Sequence, residues 1–297
     1  MASLYTHQSQ NVRKTWFIMT IFLVVVIGAG WVAAQYFNDT FILYMAVGLS
    51  LVMNGSSFWF SDKIAIAAAG AKEASDSEFP DLHNTVENLA ITAGLPKPKI
   101  YIITDDAPNA FATGRNPEHA SVAVTTGLLR MLNKTELEGV LAHELSHIGN
   151  RDILVMSVVV VLVGFIAILS DVLWRVSLFG GKDRENSNPI LMIAGIALIV
   201  VGPIVAQLMQ LAVSRKREFL ADASGALLTR YPEGLALALQ KIGSYSQPMQ
   251  RASSATAHLF ISNPFGQNGK AGNTMRKLFS THPPIEERIE ALVGTSR

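Results

Sequence analysis

The stretch AHELSHIGNRDILVMSVVVVLVGFIAILS, residues 142–170, combines a pattern typical of a metal site with a long apolar run. His143 and His147 would lie on one face of a helix, where both imidazoles can bind one ion. Glu144 is rotated by about 100° around the helix axis, away from that face but within reach of a water on the metal. Zinc lowers the pKa of bound water to about 7, and a carboxylate can accept its proton as the water attacks a carbonyl. The alternative interpretation is a solvated helix face that spells the motif by chance.

The composition is that of a membrane-associated protein. Of the 297 residues, 49% are hydrophobic and only 16% are charged, whereas a typical soluble domain is about one quarter charged. The net charge of +1 and the absence of a basic, aromatic patch argue against nucleic-acid binding. The chain has no cysteine, which excludes disulfides, thiolate metal ligands and a cysteine nucleophile.

Four uncharged runs are apolar enough to predict transmembrane helices, at residues 15–34, 40–61, 153–170 and 189–213. A bilayer core takes about 20 residues of helix, which the third run only just provides. The alternative for the last two runs is a hairpin buried in a soluble core. The first run is too long for a signal-peptide core, and no clear cleavage site follows it.

These runs divide the chain into a membrane hairpin at 1–61, a soluble segment at 62–152, a second hairpin at 153–213 and a soluble segment at 214–297. The two soluble segments together would make one domain of ordinary size. Basic residues flank the cytoplasmic ends of transmembrane helices, and here they precede the first run and follow the second and fourth. Both soluble segments should therefore face the cytoplasm, although loop 171–188, predicted to lie outside, carries as many basic as acidic residues.

The soluble segments predict an α+β fold that is mostly helical, with a small sheet. Strands are expected at 99–104, 109–113 and 121–126, and helices at 82–93, 132–150, 232–243 and 283–293. Asn133 and Glu136 form a capping-box pattern at the start of the motif helix. Residues 246–281 should form a long loop, which could act as a lid. We expect the motif helix to continue into run 153–170, which would hold the metal within about 10–15 Å of the bilayer surface.

A third metal ligand must come from outside the motif, because no histidine follows at the metzincin spacing. Glu218 and Asp222 lie one helical turn apart in SRKREFLADASGALL, residues 214–228. Glu218 as ligand, with Asp222 supporting a ligating histidine, is the economical arrangement. The alternative is that both are surface acids that pair with the neighbouring basic residues 215–217.

Four motifs in this order resemble the HtpX-type integral-membrane zinc metallopeptidases, relatives of the type I CAAX prenyl protease: APNAFATG, HELSHIGNRD, SRKREFLADASGA and STHPPIEERI. The resemblance covers nearly the whole chain, including two apolar runs before the zinc motif and two after it. It implies a gluzincin-type peptidase domain joined to four transmembrane helices, with one zinc ion per chain. It also implies cleavage of damaged or misassembled membrane proteins at the bacterial inner membrane, with the catalytic domain in the cytoplasm.

The resemblance also implies roles for individual residues. The zinc ligands would be His143, His147 and Glu218, with Glu144 as the general base. The remaining implied residues are Asp222 as the acid behind a ligand, Asn109 as a substrate-backbone contact, and His282 and Arg288 as a pair that steadies the oxyanion.

The residues alone leave several of these roles open. Asn109 could be only a turn residue after Pro108, Arg288 could make only surface contacts, and His282 could cap the last helix. His258, in the long loop, could reach the metal as a latch or could simply be solvated.

Two rival functions fit the sequence less well. An intramembrane metalloprotease would bury the motif in hydrocarbon, but Glu136, Glu138, Arg151 and Asp152 flank it, and the acidic LDG triplet of those enzymes is absent. The other rival is a membrane-bound holdase or scaffold with an inactive site. For the peptidase, the partners would be the bilayer and polypeptide substrates that add to an edge of the sheet with little sequence preference. The oligomeric state and the natural substrate are left open.

Overall fold

The computed structural model describes residues 4–179, 215–251, 253, 255–266 and 283–294. The chain begins with two apolar helices, α1 (Leu4–Phe37) and α2 (Phe41–Trp59), which pack against each other. Gln8–Phe37 and Phe41–Trp59 are each long and apolar enough to cross a membrane. Their outer faces carry exposed large side chains such as Trp31 and Tyr44, as expected of helices that contact lipid. The predicted runs 15–34 and 40–61 thus form apolar helices of spanning length.

A small mixed sheet follows the first hairpin. After α3 (Ser61–Ala68) come β1 (Lys72–Glu73), α4 (Pro80–Ala93), β2 (Lys99–Ile103), β3 (Ala110–Gly114), a 3₁₀ turn at Pro117–His119, β4 (Ala120–Thr125) and α5 (Thr126–Met131). The strand order is β1-β2-β4-β3, in which β2 and β4 are parallel and the outer pairs are antiparallel. The three predicted strands are confirmed to within one or two residues. Strand β3 lies at an edge of the sheet and contacts the helix that carries the histidine motif.

The motif helix is α6 (Lys134–Gly149), and its predicted capping box is present. Asn133 accepts a hydrogen bond from the Glu136 backbone N–H at 3.0 Å, while Glu136 accepts from the Asn133 N–H at 2.9 Å. Helix α6 packs against α4, against β3 and against two later helices, Arg215–Thr229 and Pro232–Ser244. The motif therefore lies in the interior of the domain.

The expectation that α6 continues into the third apolar run is wrong. The following helix, α7 (Asp152–Phe179), begins after a break at which the two axes bend by 84°. Arg151 has a left-handed backbone with φ of 58°, which a continuous right-handed helix does not allow. The estimate of 10–15 Å thereby loses its support from this helix, and the second helix that could support it, the fourth apolar run before Glu218, lies outside the described residues. Lys134–Gly149 and Asp152–Ile166 together count as at most one broken membrane span.

The prediction of a loop at 171–188 is wrong for its first half, because helix α7 continues to Phe179. The fourth apolar run, 189–213, lies outside the described residues, as does His282. The last elements are α8 (Arg215–Thr229), α9 (Pro232–Ser244), a 3₁₀ turn at Ala257–Leu259 within the predicted long loop, and α10 (Ile285–Val293). The described fold is thus a mostly helical α+β domain with a small mixed sheet, attached to two N-terminal apolar helices.

Candidate metal centre

Three buried side chains converge at the centre of the domain. His143 and His147 come from α6 and Glu218 from α8, and one ligand atom from each lies within 4.8 Å of the others. The Nε2 atoms of His143 and His147 are 3.1 Å apart. Glu218 Oε2 lies 3.8 Å from His143 Nε2, and Glu218 Oε1 lies 3.6 Å from His147 Nε2. Ligands on a tetrahedral zinc, at bonds of about 2.1 Å, are roughly 3.4 Å apart. The donor set therefore fits one small divalent ion without rearrangement.

Close packing of α8 against α6 brings Glu218 to the histidines. Gly225 makes this possible, because a Cβ at that position would lie only 3.0 Å from the His143 backbone nitrogen. Glu218 and Asp222 are 2% and 1% exposed. The alternative in which they are surface acids is therefore wrong.

Glu144 lies between the histidines and the edge strand. Its side chain is buried, and the Ala112 backbone N–H of β3 donates a hydrogen bond to it. Burial raises the pKa of Glu144 to about 7, with the charge of Glu218 adding to the rise and the cations His147 and Arg288 opposing it. A carboxyl group with such a pKa can both accept and return a proton near neutral pH.

On one side, His143 is held by residues of α8 and α10. Its Nδ1 lies 2.9 Å from Asp222 Oδ1. Arg288, from α10, donates two hydrogen bonds to Asp222, from Nε to Oδ2 at 2.8 Å and from Nη2 to Oδ1 at 2.6 Å. This two-pronged pair is the strong geometry for arginine and carboxylate. Arg288 is fully buried, so the alternative of a surface contact is wrong.

The buried charges of this pair support each other. Burial alone would raise the pKa of Asp222, but hydrogen bonds from Arg288 and His143 outweigh it and lower the pKa to about 2. Burial lowers the pKa of His143 to about 4, so this histidine is neutral at pH 7 in the metal-free protein. Arg288 also donates to the Ile261 carbonyl at 3.4 Å. Arg288 thus holds Asp222 in place, and its role toward an oxyanion stays a prediction.

On the other side, His147 is held by a residue that sequence reasoning missed. Its Nδ1 lies 3.0 Å from Oδ2 of Asp152, the first residue of α7. Burial opposes the charged imidazole, but the Asp152 hydrogen bond and the charges of Glu218, Asp152 and Glu144 raise the pKa of His147 to about 9. Asp152 was visible only as a charge flanking the motif, since its position five residues on is no signal on a straight helix.

Asn109 lies at the start of the edge strand and binds the backbone of the long loop at Ser262. Its Nδ2 donates to the Ser262 carbonyl at 2.9 Å, and its Oδ1 accepts from the Ser262 N–H at 3.2 Å. Beside it, the Ile261 N–H donates to the Ala110 carbonyl at 2.9 Å. The long loop thus places its own backbone against the N-terminal end of β3. His258, in the same loop, is buried with Nε2 3.1 Å from the Met156 carbonyl, so the solvated alternative is wrong.

Comparisons with known proteins agree with this centre. The model of the family described as peptidase family M48 matches residues 76–296. The chain is 48% identical to the Protease HtpX homolog of Caldanaerobacter subterraneus subsp. tengcongensis, over 98% of this chain and 97% of that protein. It is 49% identical, with the same coverage, to the Protease HtpX homolog of Thermoanaerobacter pseudethanolicus.

Among solved structures, the crystal structure of S. mikatae Ste24p aligns with a TM-score of 0.49 and 20% identity, over 93% of this chain and 62% of that one. The family match and the near full-length relatives confirm the resemblance seen in the four motifs. The chain therefore belongs to peptidase family M48 and is an HtpX-type metallopeptidase.

Proposed function

We propose that the chain is a zinc-dependent endopeptidase that cleaves misfolded or damaged membrane proteins on the cytoplasmic side of the bacterial inner membrane. The observation that carries this proposal is the buried set of His143, His147 and Glu218 with Glu144 beside it, at the edge of a sheet. Two apolar helices attach this site to a membrane. Two imidazoles and one carboxylate are the ligand set that suits zinc in hydrolases.

The ion would be held by His143, His147 and Glu218, one per chain, and would activate water and polarise the scissile carbonyl. Glu144 accepts the proton of the attacking water and delivers it to the departing amide nitrogen. Asp222 and Asp152 hold the two histidines with Nε2 toward the ion. Arg288, and His282 beyond the described residues, are proposed to steady charge that develops on the carbonyl oxygen.

The substrate backbone is proposed to run along the outer edge of β3. Asn109 would bind it as it binds Ser262 now, through both amide groups. Backbone pairing requires little of the side chains, so cleavage should show broad specificity. A single short consensus, with unfolded chains ignored, would contradict this part of the proposal.

The membrane arrangement is proposed from charge and length. Residues 1–61 and 153–213 would form two hairpins, and residues 62–152 and 214–297 would form one cytoplasmic domain. The substrate would then be the juxtamembrane segment of a membrane protein that diffuses in the same bilayer. The two apolar helices Gln8–Phe37 and Phe41–Trp59 support the first hairpin.

The test is cleavage of unfolded casein by the full chain, purified in detergent and loaded with zinc, beside its Glu144→Gln variant. The wild type should cut, and the variant should bind the same amount of zinc yet lose activity by about 10²–10⁴-fold, the usual contribution of a general base. If both proteins bind one zinc and neither cuts any unfolded chain, a membrane-bound holdase becomes the better interpretation.

A further inference from the structure

We propose that Asn11, on the first apolar helix, is a positioning residue of the metal centre that acts through Asp152 on His147. The inference rests on the proposed metal site and adds a residue outside the region that the family model matches, which begins at residue 76. It makes the N-terminal helix part of the peptidase site as well as a membrane anchor.

The contacts of Asn11 form a buried polar chain that ends on a metal ligand. Asn11 is 3% exposed and Asp152 is 1% exposed. Asn11 Nδ2 donates to Asp152 Oδ1 at 2.8 Å, while the other carboxylate oxygen of Asp152 lies 3.0 Å from His147 Nδ1. One oxygen of this carboxylate thus binds Asn11 and lies 3.5 Å from Arg217 Nη1, and the other oxygen contacts the histidine.

The remaining groups of Asn11 fix the orientation of its amide. Nδ2 also donates to the Asn150 carbonyl at 2.9 Å, and Oδ1 accepts from Arg217 Nη1 at 3.2 Å. A flipped amide would face its oxygen toward a carbonyl and a carboxylate, and its NH₂ toward a guanidinium. Only the observed orientation satisfies every partner, so Asn11 can hold Asp152 in one place.

Asp152 can reach His147 only because the chain bends between α6 and α7. On a continuous helix, five residues correspond to a rotation of about 140°, which would turn Asp152 away from the His147 ring. The bend of 84° removes this obstacle. It also leaves the last carbonyls of α6 without helical partners, and such groups need donors from elsewhere.

Helix α1 supplies those donors. Gln8 donates to the Gly149 carbonyl at 2.7 Å, one turn before Asn11 donates to Asn150. Farther along the same face of α1, an apolar stripe packs against α7, and its members are Ile18, Met19 and Phe22 against Leu154, Val155, Val158, Val159 and Leu162. The apolar contacts fix α1 beside α7, and the side chains of Gln8 and Asn11 satisfy carbonyls that the bend leaves without helical partners.

Gln8 provides a matched control. It lies on the same helix and binds the same end of α6, but its side chain donates to the Gly149 carbonyl, whereas that of Asn11 also donates to Asp152. A general loosening of α1 should therefore affect Gln8→Ala and Asn11→Ala alike. A positioning role through Asp152 should affect Asn11→Ala alone.

The experiment measures zinc affinity of the full chain in detergent, by competition with a chromophoric chelator. Partners that hold a metal-ligating residue typically contribute 10–100-fold in affinity, so Asp152→Asn should lie in that range and Asn11→Ala near its lower end, at about tenfold. Gln8→Ala should stay within about twofold of the wild type. In the Asp152→Asn background, adding Asn11→Ala should cost no further affinity, because the route through Asp152 is already broken.

The outcomes separate this inference from the proposed function. A wild type that binds no zinc overturns both. A wild type that binds one zinc, with Asn11→Ala indistinguishable from Gln8→Ala, overturns only the role of Asn11. An equal loss on adding Asn11→Ala with and without Asp152→Asn also overturns it, since the effect would then be a general one. The double-variant comparison decides the matter even if Asn11→Ala lowers overall stability.

Discussion

His143 and His147 lie one turn apart on the same helix, yet different parts of the molecule hold them. His143 contacts Asp222, which in turn binds Arg288, and both residues come from the C-terminal part of the peptidase domain. Behind His147 stand Asp152, at the start of α7, and Asn11, on the first apolar helix. One half of the centre is thus held by residues of α8 and α10, and the other half by residues of α7 and the first apolar helix.

This difference indicates that the first apolar helix contributes contacts to the site through Asp152. Outer partners of metal ligands fix ring orientation and contribute to metal affinity. If one of those partners is held by α1, then displacement of the apolar helices should change the metal centre directly.

The largest stability effect is expected on the side of His143. Arg288→Met leaves the Asp222 carboxylate buried and without its main cation, and breaking a buried pair in this way costs about 3–5 kcal/mol. Thermal unfolding of the zinc-free protein in detergent should show a large decrease. Arg130→Met is the matched control, because it removes an exposed pair with Asp106 and should cost less than about 1 kcal/mol. Equal decreases for the two variants would show that the Asp222–Arg288 pair does not stabilise the domain.

A smaller effect is expected on the pH dependence of stability in the zinc-free protein, where His147 and Asp222 should contribute over different pH ranges. The pKa of His147 is raised to about 9, so its contribution to stability is complete below the ordinary histidine value of about 6.5 and is lost as pH rises through 9. The pKa of Asp222 is lowered to about 2, so its contribution is present above about 3.9 and is lost as pH falls toward 2. Each support should therefore weaken at the opposite end of the pH range.

The measurement is the unfolding temperature of zinc-free protein from pH 6 to 10, with Asp152→Asn beside the wild type. The wild type should lose stability as pH rises through this range, and the variant should lose less, because Asp152 is the main cause of the raised pKa. A variant with the same alkaline loss as the wild type would show that Asp152 does not hold the charge of His147.

Local patterns predicted much of the centre. Helical spacing placed His143 beside His147 and Glu218 beside Asp222, and the capping box placed the start of α6. These are relations within one or two turns of a helix, where geometry is fixed by the backbone. The strands at 99–103, 110–114 and 120–125 were also visible, from runs of β-branched and small apolar residues.

The residues that sequence reasoning missed depend on contacts between distant parts of the chain. Asp152 faces His147 only because of the bend after Gly149, and Gln8 and Asn11, from about 140 residues earlier, satisfy the carbonyls that this bend leaves without helical partners. Nothing local in IGNRDI marks a left-handed Arg151. The burial of Arg288 likewise depends on the docking of α10 against α8.

The most direct test of the account is the zinc content of three proteins: the wild type, Glu218→Ala and Glu144→Gln, each purified in detergent, dialysed against a weak chelator and analysed for bound metal. The account predicts one zinc per chain in the wild type and in Glu144→Gln, and none in Glu218→Ala, because Glu218 is the proposed third ligand and Glu144 the proposed base. A wild type without zinc, or a Glu218→Ala variant that keeps a full equivalent, would contradict the metal centre described by His143, His147 and Glu218.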